Sequence, residues 1–239
     1  MSYGIQIIND SGKWLVTDEY PVPGFMGKAT LTPSGPELSY GADANVQEYS
    51  IAYPGGTLAG RRMEFWTLPS GDDVWWSPGS ARRFRTASQG FTLPEVYVFD
   101  SGCGASAVGG WGIEVRNASG VLIAGGGRSM LGVRSLPSLQ YPSDASPNYG
   151  TVPIDNAMGS LPSKPAFLVA PFESIRFAAR APFSDVYFQS GGVKRSGSTI
   201  SARLFRYARS TEDDGGTNSY FIRGQTTNAC PVIDASNYD

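Results

Sequence analysis

Histidine is absent from this chain. Its absence removes Ser–His and Cys–His nucleophile activation, imidazole acid–base work, and most zinc and iron sites. Carboxylate chemistry and oxygen-ligated metals are what remain. Cysteine is nearly absent, at Cys103 and Cys230 only. Two thiols so far apart form no disulfide framework, and neither lies in a Cys-x-x-Cys. They are read as free thiols, with a single bridge left open. No apolar run reaches eighteen residues, so no membrane-spanning segment is expected. No charge of one sign dominates: 19 basic and 21 acidic residues are intermixed, for a net −2. That argues against nucleic acid as a partner. Long Ala/Leu/Glu/Lys stretches are missing, and no ten-residue segment carries a convincing helical period. No basic head or apolar segment follows Met1-Ser-Tyr-Gly, so no secretory leader is predicted.

What is present is punctuation. Thirty glycines and 17 prolines break the chain into short apolar pieces, a strand-and-turn composition. With 239 residues the chain is long enough to bury a substantial core, as one large all-β domain or two of ordinary size.

One phrase occurs twice. Residues 3–16 read YGIQIINDSGKWLV, and residues 111–124 read WGIEVRNASGVLIA. Tyr3, Ile5 and Ile7 alternate onto one strand face, as do Trp111, Ile113 and Val115. Asn-x-Ser-Gly then supplies turn chemistry, and an apolar return strand follows. Each copy therefore predicts a β-hairpin. Asn9 and Asn117 also match the N-glycosylation pattern, but that needs a secretory route, so both are read as turn residues.

Further strands are expected around residues 29–31, 49–53, 64–68, 74–76, 82–86 and 95–99. Residues 64–68 and 74–76, joined by Pro69-Ser-Gly-Asp-Asp73, read as a second hairpin. Residues 101–110 form a glycine-rich connector. The Pro/Ser-rich stretch 135–165 reads as a long loop. Strands resume at 167–170, 174–178, 185–188, 199–207 and 220–223. The expectation is an all-β chain of two sandwich-like β halves, 1–100 and 111–239, each opening with a similar hairpin.

Few residues suggest chemistry. Gly55–Gly60 before Arg61-Arg62 lacks the Lys-Ser/Thr and following helix of a phosphate loop. Gly125-Gly-Gly-Arg128 has no βαβ unit around it. Of the acidic clusters, Asp72-Asp73 and Glu212-Asp213-Asp214 leading to Asn218, the second could gather oxygens around calcium but does not fit calcium-loop spacing, and nothing places paired carboxylates from either across a cleft. They read as solvated loop charge. Phe205 and Tyr207 among Arg203, Arg206 and Arg209 mimic a stacking face for nucleic acid; arginines pairing with a neighbouring subunit fit the balanced charge better. Trp66, Trp75 and Trp76 stand out, three of five tryptophans on two expected strands. Core packing is the plain reading. The sharper one is contact with another subunit or a glycan, because adjacent Trp75 and Trp76 point to opposite faces of a regular strand.

The aromatic-Gly-Ile-x-Val/Ile-x-Asn-x-Ser-Gly phrase, returning mid-chain just after Tyr97-Val-Phe-Asp100, resembles a family of small tailed-bacteriophage proteins encoded among the tail genes, of uncharacterised molecular function. The resemblance covers roughly the first twenty residues and residues 97–124. The family phrase often continues into Phe-Asp-Ser; here the copies continue as Thr17-Asp-Glu19 and Gly125-Gly-Gly-Arg128. The resemblance transfers no catalytic residue. It implies a virion structural protein of the tail tip or baseplate, made in the host cytoplasm. Such a protein has no enzymatic activity and no cofactor. It forms a homo-oligomer, holds other tail proteins, and positions fibres. The alternative is a receptor- or carbohydrate-binding protein used in host adsorption.

Overall fold

The computed structural model describes residues 4–9, 12–17, 23–36, 47–54, 62–71, 75–78, 83–86, 92–100, 114–116, 122–125, 131–142, 153–169, 173–180, 183–212, 220–223 and 227–239. The first half contributes β1 (Gly4–Asn9), β2 (Gly12–Thr17), β3 (Gly24–Pro36), β4 (Gln47–Ala52), β5 (Arg62–Trp66), β6 (Trp76–Pro78), β7 (Arg83–Thr86) and β8 (Val96–Asp100). After residues 101–110, which lie outside the described residues, come β9 (Glu114–Arg116), β10 (Leu122–Gly125), β11 (Val133–Ser135), β12 (Ser138–Gln140), β13 (Ile154–Ala157) and β14 (Pro165–Phe167). The chain continues through β15 (Glu173–Arg180), β16 (Phe183–Ser196), β17 (Thr199–Glu212), β18 (Tyr220–Arg223), β19 (Thr227–Ala229) and β20 (Val232–Asp234). A 3₁₀ turn at Ala235–Tyr238 is the one helical element among the described residues. The chain is all-β, in antiparallel sheets.

Both copies of the repeated phrase form hairpins. β1 pairs with β2 in unbroken register from Gly4↔Thr17 to Asn9↔Gly12. β9 pairs with β10 through an irregularity after Leu122, and β10 lies against β2.

β3 turns the corner between two packed sheets. Its first part pairs with β8 (Gly24↔Asp100 to Ala29↔Val96), and its second part pairs with β4 (Thr30↔Ala52 to Pro36↔Gln47). Register slips between Phe25 and Gly27. Gly27 has φ +127°, and a Cβ there would lie 3.2 Å from Pro54 Cγ. The bulge needs a residue without a side chain.

The first sheet runs β11-β20-β14-β5-β8-β3, and the second continues through β4, β7, β6, β16, β15 and β18, with β17 and β13 beyond β16. Strands from both sides of residues 101–110 are neighbours here: β5 pairs with β14, and β6 with β16. The ends of the first sheet approach each other, because Leu131 N–H donates to Pro23 C=O at 2.9 Å.

Two cores result. Val96, Val98, Trp66, Phe167 and Val232 face the second sheet and join Trp76, Val193, Ile200, Ala202 and Leu204. The alternate residues Phe65, Tyr97, Phe99, Ala166 and Ile233 face the other way and pack with Ala235 and Tyr238. β8 is therefore buried on both faces, which explains its continuous Val-Tyr-Val-Phe run.

Two expectations need correction. Residues 64–68 and 74–76 do not form a hairpin. β5 pairs with β8 and β14, while β6 pairs with β7 and β16. The connecting segment instead crosses between sheets, and Ser70 forms a parallel bridge to Arg195. Nor is 135–165 a plain loop, since it contains β12 and β13, paired with β19 and β17. Their partners lie 42 to 91 residues away, out of reach of any local pattern. Residues 185–188 and 199–207 belong to one long hairpin, β16–β17, closed by Gly197 at φ +57°.

Candidate functional site

The three tryptophans singled out from sequence are all buried. Trp66 is 2% exposed and Trp76 1%, both in the inter-sheet core. Trp66 pairs in register with Val96 and Phe167, and Trp76 with Thr86 and Val193. Trp75 does lie outside that cluster, yet it is only 6% exposed. The Arg203 guanidinium sits 4.3 Å from its ring centroid and the Lys194 ammonium 5.0 Å away. These cations from β16 and β17 cover the indole by a cation–π contact. None of the three tryptophans offers an open face to a sugar ring. Arg203 turns toward its own chain.

Residues 55–61, 72–73, 126–128 and 213–218 lie outside the described residues, as does Cys103. Cys230 is a free, fully buried thiol, and burial pushes its pKa up to about 12. It is therefore no nucleophile at neutral pH. Ser201 donates a hydrogen bond to Asp155 Oδ1, but a carboxylate alone does not activate a hydroxyl as the imidazole of a triad does. Among the described residues no group of three or more His, Cys, Asp or Glu side chains is placed to hold a metal ion, and no helix is long and apolar enough to cross a membrane.

Among the described residues, a dense polar arrangement lies at one end of the smaller core. Lys28 extends from β3, Glu95 and Tyr97 from the β8 segment, Lys164 from just before β14, and Asp239 follows the 3₁₀ turn. Lys28 Nζ lies 2.6 Å from Glu95 Oε1 and 2.7 Å from Asp239 Oδ1. Lys164 Nζ lies 2.6 Å from Glu95 Oε2 and 2.8 Å from Asp239 Oδ2. The Tyr97 hydroxyl donates to Asp239 Oδ1 at 2.6 Å. Both ammonium groups also stand over the Tyr97 ring, at 4.9 and 5.5 Å from its centroid. Two ammonium groups thus face two side-chain carboxylates.

The titration shifts follow from this geometry. Lys164, Lys28 and Tyr97 hold the Asp239 carboxyl well below the usual carboxylate range. Burial pushes Glu95 up, but the two lysines outweigh it and its pKa falls. Asp239 and Glu95 raise Lys28. Lys164 rises too, its partners overcoming burial. Burial, then the bond to Asp239, raises Tyr97. The charged side chains remain 34–39% exposed, so water and salt weaken each pair.

Sequence reasoning missed this cluster because its members span residues 28 to 239. Only Tyr97 fell in a motif, and for a different reason. Asn156 was also missed. Its buried amide donates to the carbonyls of Gln140, Ile154 and Ile200 and accepts from Gln140 N–H, standing in for a ladder between β12 and β13. A single Asn in a Pro/Ser-rich stretch carries no signal of that role. Comparison with protein-family models, curated proteins and solved structures found no match to this chain.

Proposed function

We propose that this protein is a structural component of a tailed-phage virion, in the tail tip or baseplate. Its work is protein–protein contact without turnover: several copies arranged around the tail axis, holding neighbouring tail proteins and positioning fibres. The observation that carries the reading is the hairpin phrase used twice, at β1–β2 and β9–β10, with Tyr97-Val-Phe-Asp100 ahead of the second copy. The all-β architecture is compatible with it, and so is a polar cluster that consists of mutually satisfied ion pairs. The carbohydrate-binding alternative drew on the tryptophans and on residues 135–165; Trp66, Trp75 and Trp76 are covered within the chain, which removes them as contacts for a glycan and for a neighbouring subunit alike.

The test is mass spectrometry and cryo-electron microscopy of the purified virion of origin. The expected result is symmetry-related copies of this chain in tail-tip density. A complete particle lacking the chain would overturn the reading. Binding of host glycan by the purified protein would move the assignment to adsorption.

A further inference from the structure

We propose that Asp239, Lys28, Lys164, Glu95 and Tyr97 form an ionic latch that holds the 3₁₀ turn over the aromatic core and opens locally, without unfolding the sheets.

Segment 232–239 has four kinds of attachment. Its strand, β20, lies between β11 and β14. Its turn is held by Ala235 N–H donating to Lys164 C=O at 2.8 Å, and by Gly132 N–H donating to the Tyr238 hydroxyl at 2.8 Å. The Tyr238 ring packs 4.9 Å from Phe99 and 5.3 Å from Phe25, centroid to centroid. Beyond the ring, Asp239 is gripped by both lysines and Tyr97.

These attachments respond differently to salt. Strand pairing and ring packing are short-ranged and largely dry. The latch is made of partly exposed charges, and the Debye length falls from about 30 Å at 0.01 M salt to about 3 Å at 1 M. Added salt therefore weakens the outermost lock and spares the rest. Opening lifts Tyr238 from Phe25 and Phe99 and frees the Gly132 amide. Lys164 couples the two ends, because its ammonium holds Asp239 while its carbonyl holds Ala235. Arg134 and Asp234 also act electrostatically on Tyr238, in opposite directions.

Hydrogen exchange on the purified full chain tests this, independently of any virion role. Exchange at an amide reports the population of the open form. Gly132 and Ala235 are the reporters, and Val98 and Phe99 in β8 are the reference. Sodium chloride is used because sulfate strengthens apolar burial. Raising it from 0.01 to 1 M should speed exchange at the reporters about tenfold and leave the reference within about twofold. Asp239→Asn should reproduce the fast exchange at low salt and remove the salt response. Lys28→Met, on a different strand, should do the same in part. Reporters insensitive to salt, or reporters and reference accelerating together, would overturn the proposal. The wild-type salt series decides by itself if a variant folds poorly.

Discussion

The two cores share strands but are closed in opposite ways. The inter-sheet core draws Trp66, Val98, Trp76, Phe167, Ile200 and Val232 from six strands in two sheets. The aromatic core behind the first sheet uses the alternate residues of those same first-sheet strands, and one short segment closes it with Tyr238. A strand with both faces buried serves two cores at once. How firmly each core holds then depends on its lid. One lid is a whole sheet. The other is a single 3₁₀ turn tied down by a ring, two hydrogen bonds donated by the Ala235 and Gly132 amides, and an ion-pair cluster.

The strongest way to break this comparison is at Trp76. Trp76→Ala removes the largest fully buried kind of side chain from between the sheets, and should cost about 3–5 kcal/mol, read as a fall in the urea midpoint of unfolding. Tyr238→Ala should cost less, about 2–4 kcal/mol, from lost ring contacts and volume. Its damage should be confined: exchange rises at Gly132 and Ala235, while amides of β16 and β17 stay protected. If the Tyr238 variant instead exposes both sheets equally, the two cores are one cooperative unit and the comparison fails.

The all-β class and both repeated hairpins were legible because their signals are local. Period-two alternation, Asn-x-Ser-Gly turns and the Val-Tyr-Val-Phe run each lie within a few residues. What was not legible depends on distant partners. The separation of β5 from β6 follows from where β14 and β16 come to lie, about 100 residues later. β12 and β13 are strands because β19 and β17 receive them. The tryptophan pattern set Trp75 and Trp76 on opposite faces of a regular strand, whereas β6 begins at Trp76 and Trp75 lies just ahead of it, outside the inter-sheet core. The pattern missed that Arg203 and Lys194 would cover the outer one, since two cations over an indole are a tertiary fact. The cluster at Asp239 escaped for the same reason.

Gly27 offers a smaller test, at the corner where β3 leaves one sheet for the other. Gly27→Ala places a Cβ on a backbone with φ +127° and 3.2 Å from Pro54 Cγ. The expected cost is about 1–3 kcal/mol, again from the urea midpoint. An insensitive midpoint would mean that the bulge relaxes into regular pairing. Because both cores meet at β3, this change should loosen them together, unlike Tyr238→Ala.

The smallest effect belongs to the ion pairs themselves. A double-mutant cycle of Lys28→Met and Asp239→Asn should give a coupling of about 0.5–1 kcal/mol near neutral pH, since more than a third of each side chain is exposed. The sign of its pH dependence follows from the direction of the shifts. Asp239 and Glu95 are lowered in the fold. Their contribution is present in full above the unfolded carboxyl values, near pH 4, and is lost as pH falls from there through the lowered folded values. Lys28 and Lys164 are raised. Their contribution is present in full below the unfolded lysine value, about 10.4, and is lost as pH rises through the raised folded values. The coupling should therefore be flat between about pH 5 and pH 10 and shrink toward pH 2. A coupling of undiminished size at pH 2 would mean that neutral hydrogen bonds, rather than charges, hold Asp239 in place. The lid of the smaller core would then be tied as drily as the rest of the fold.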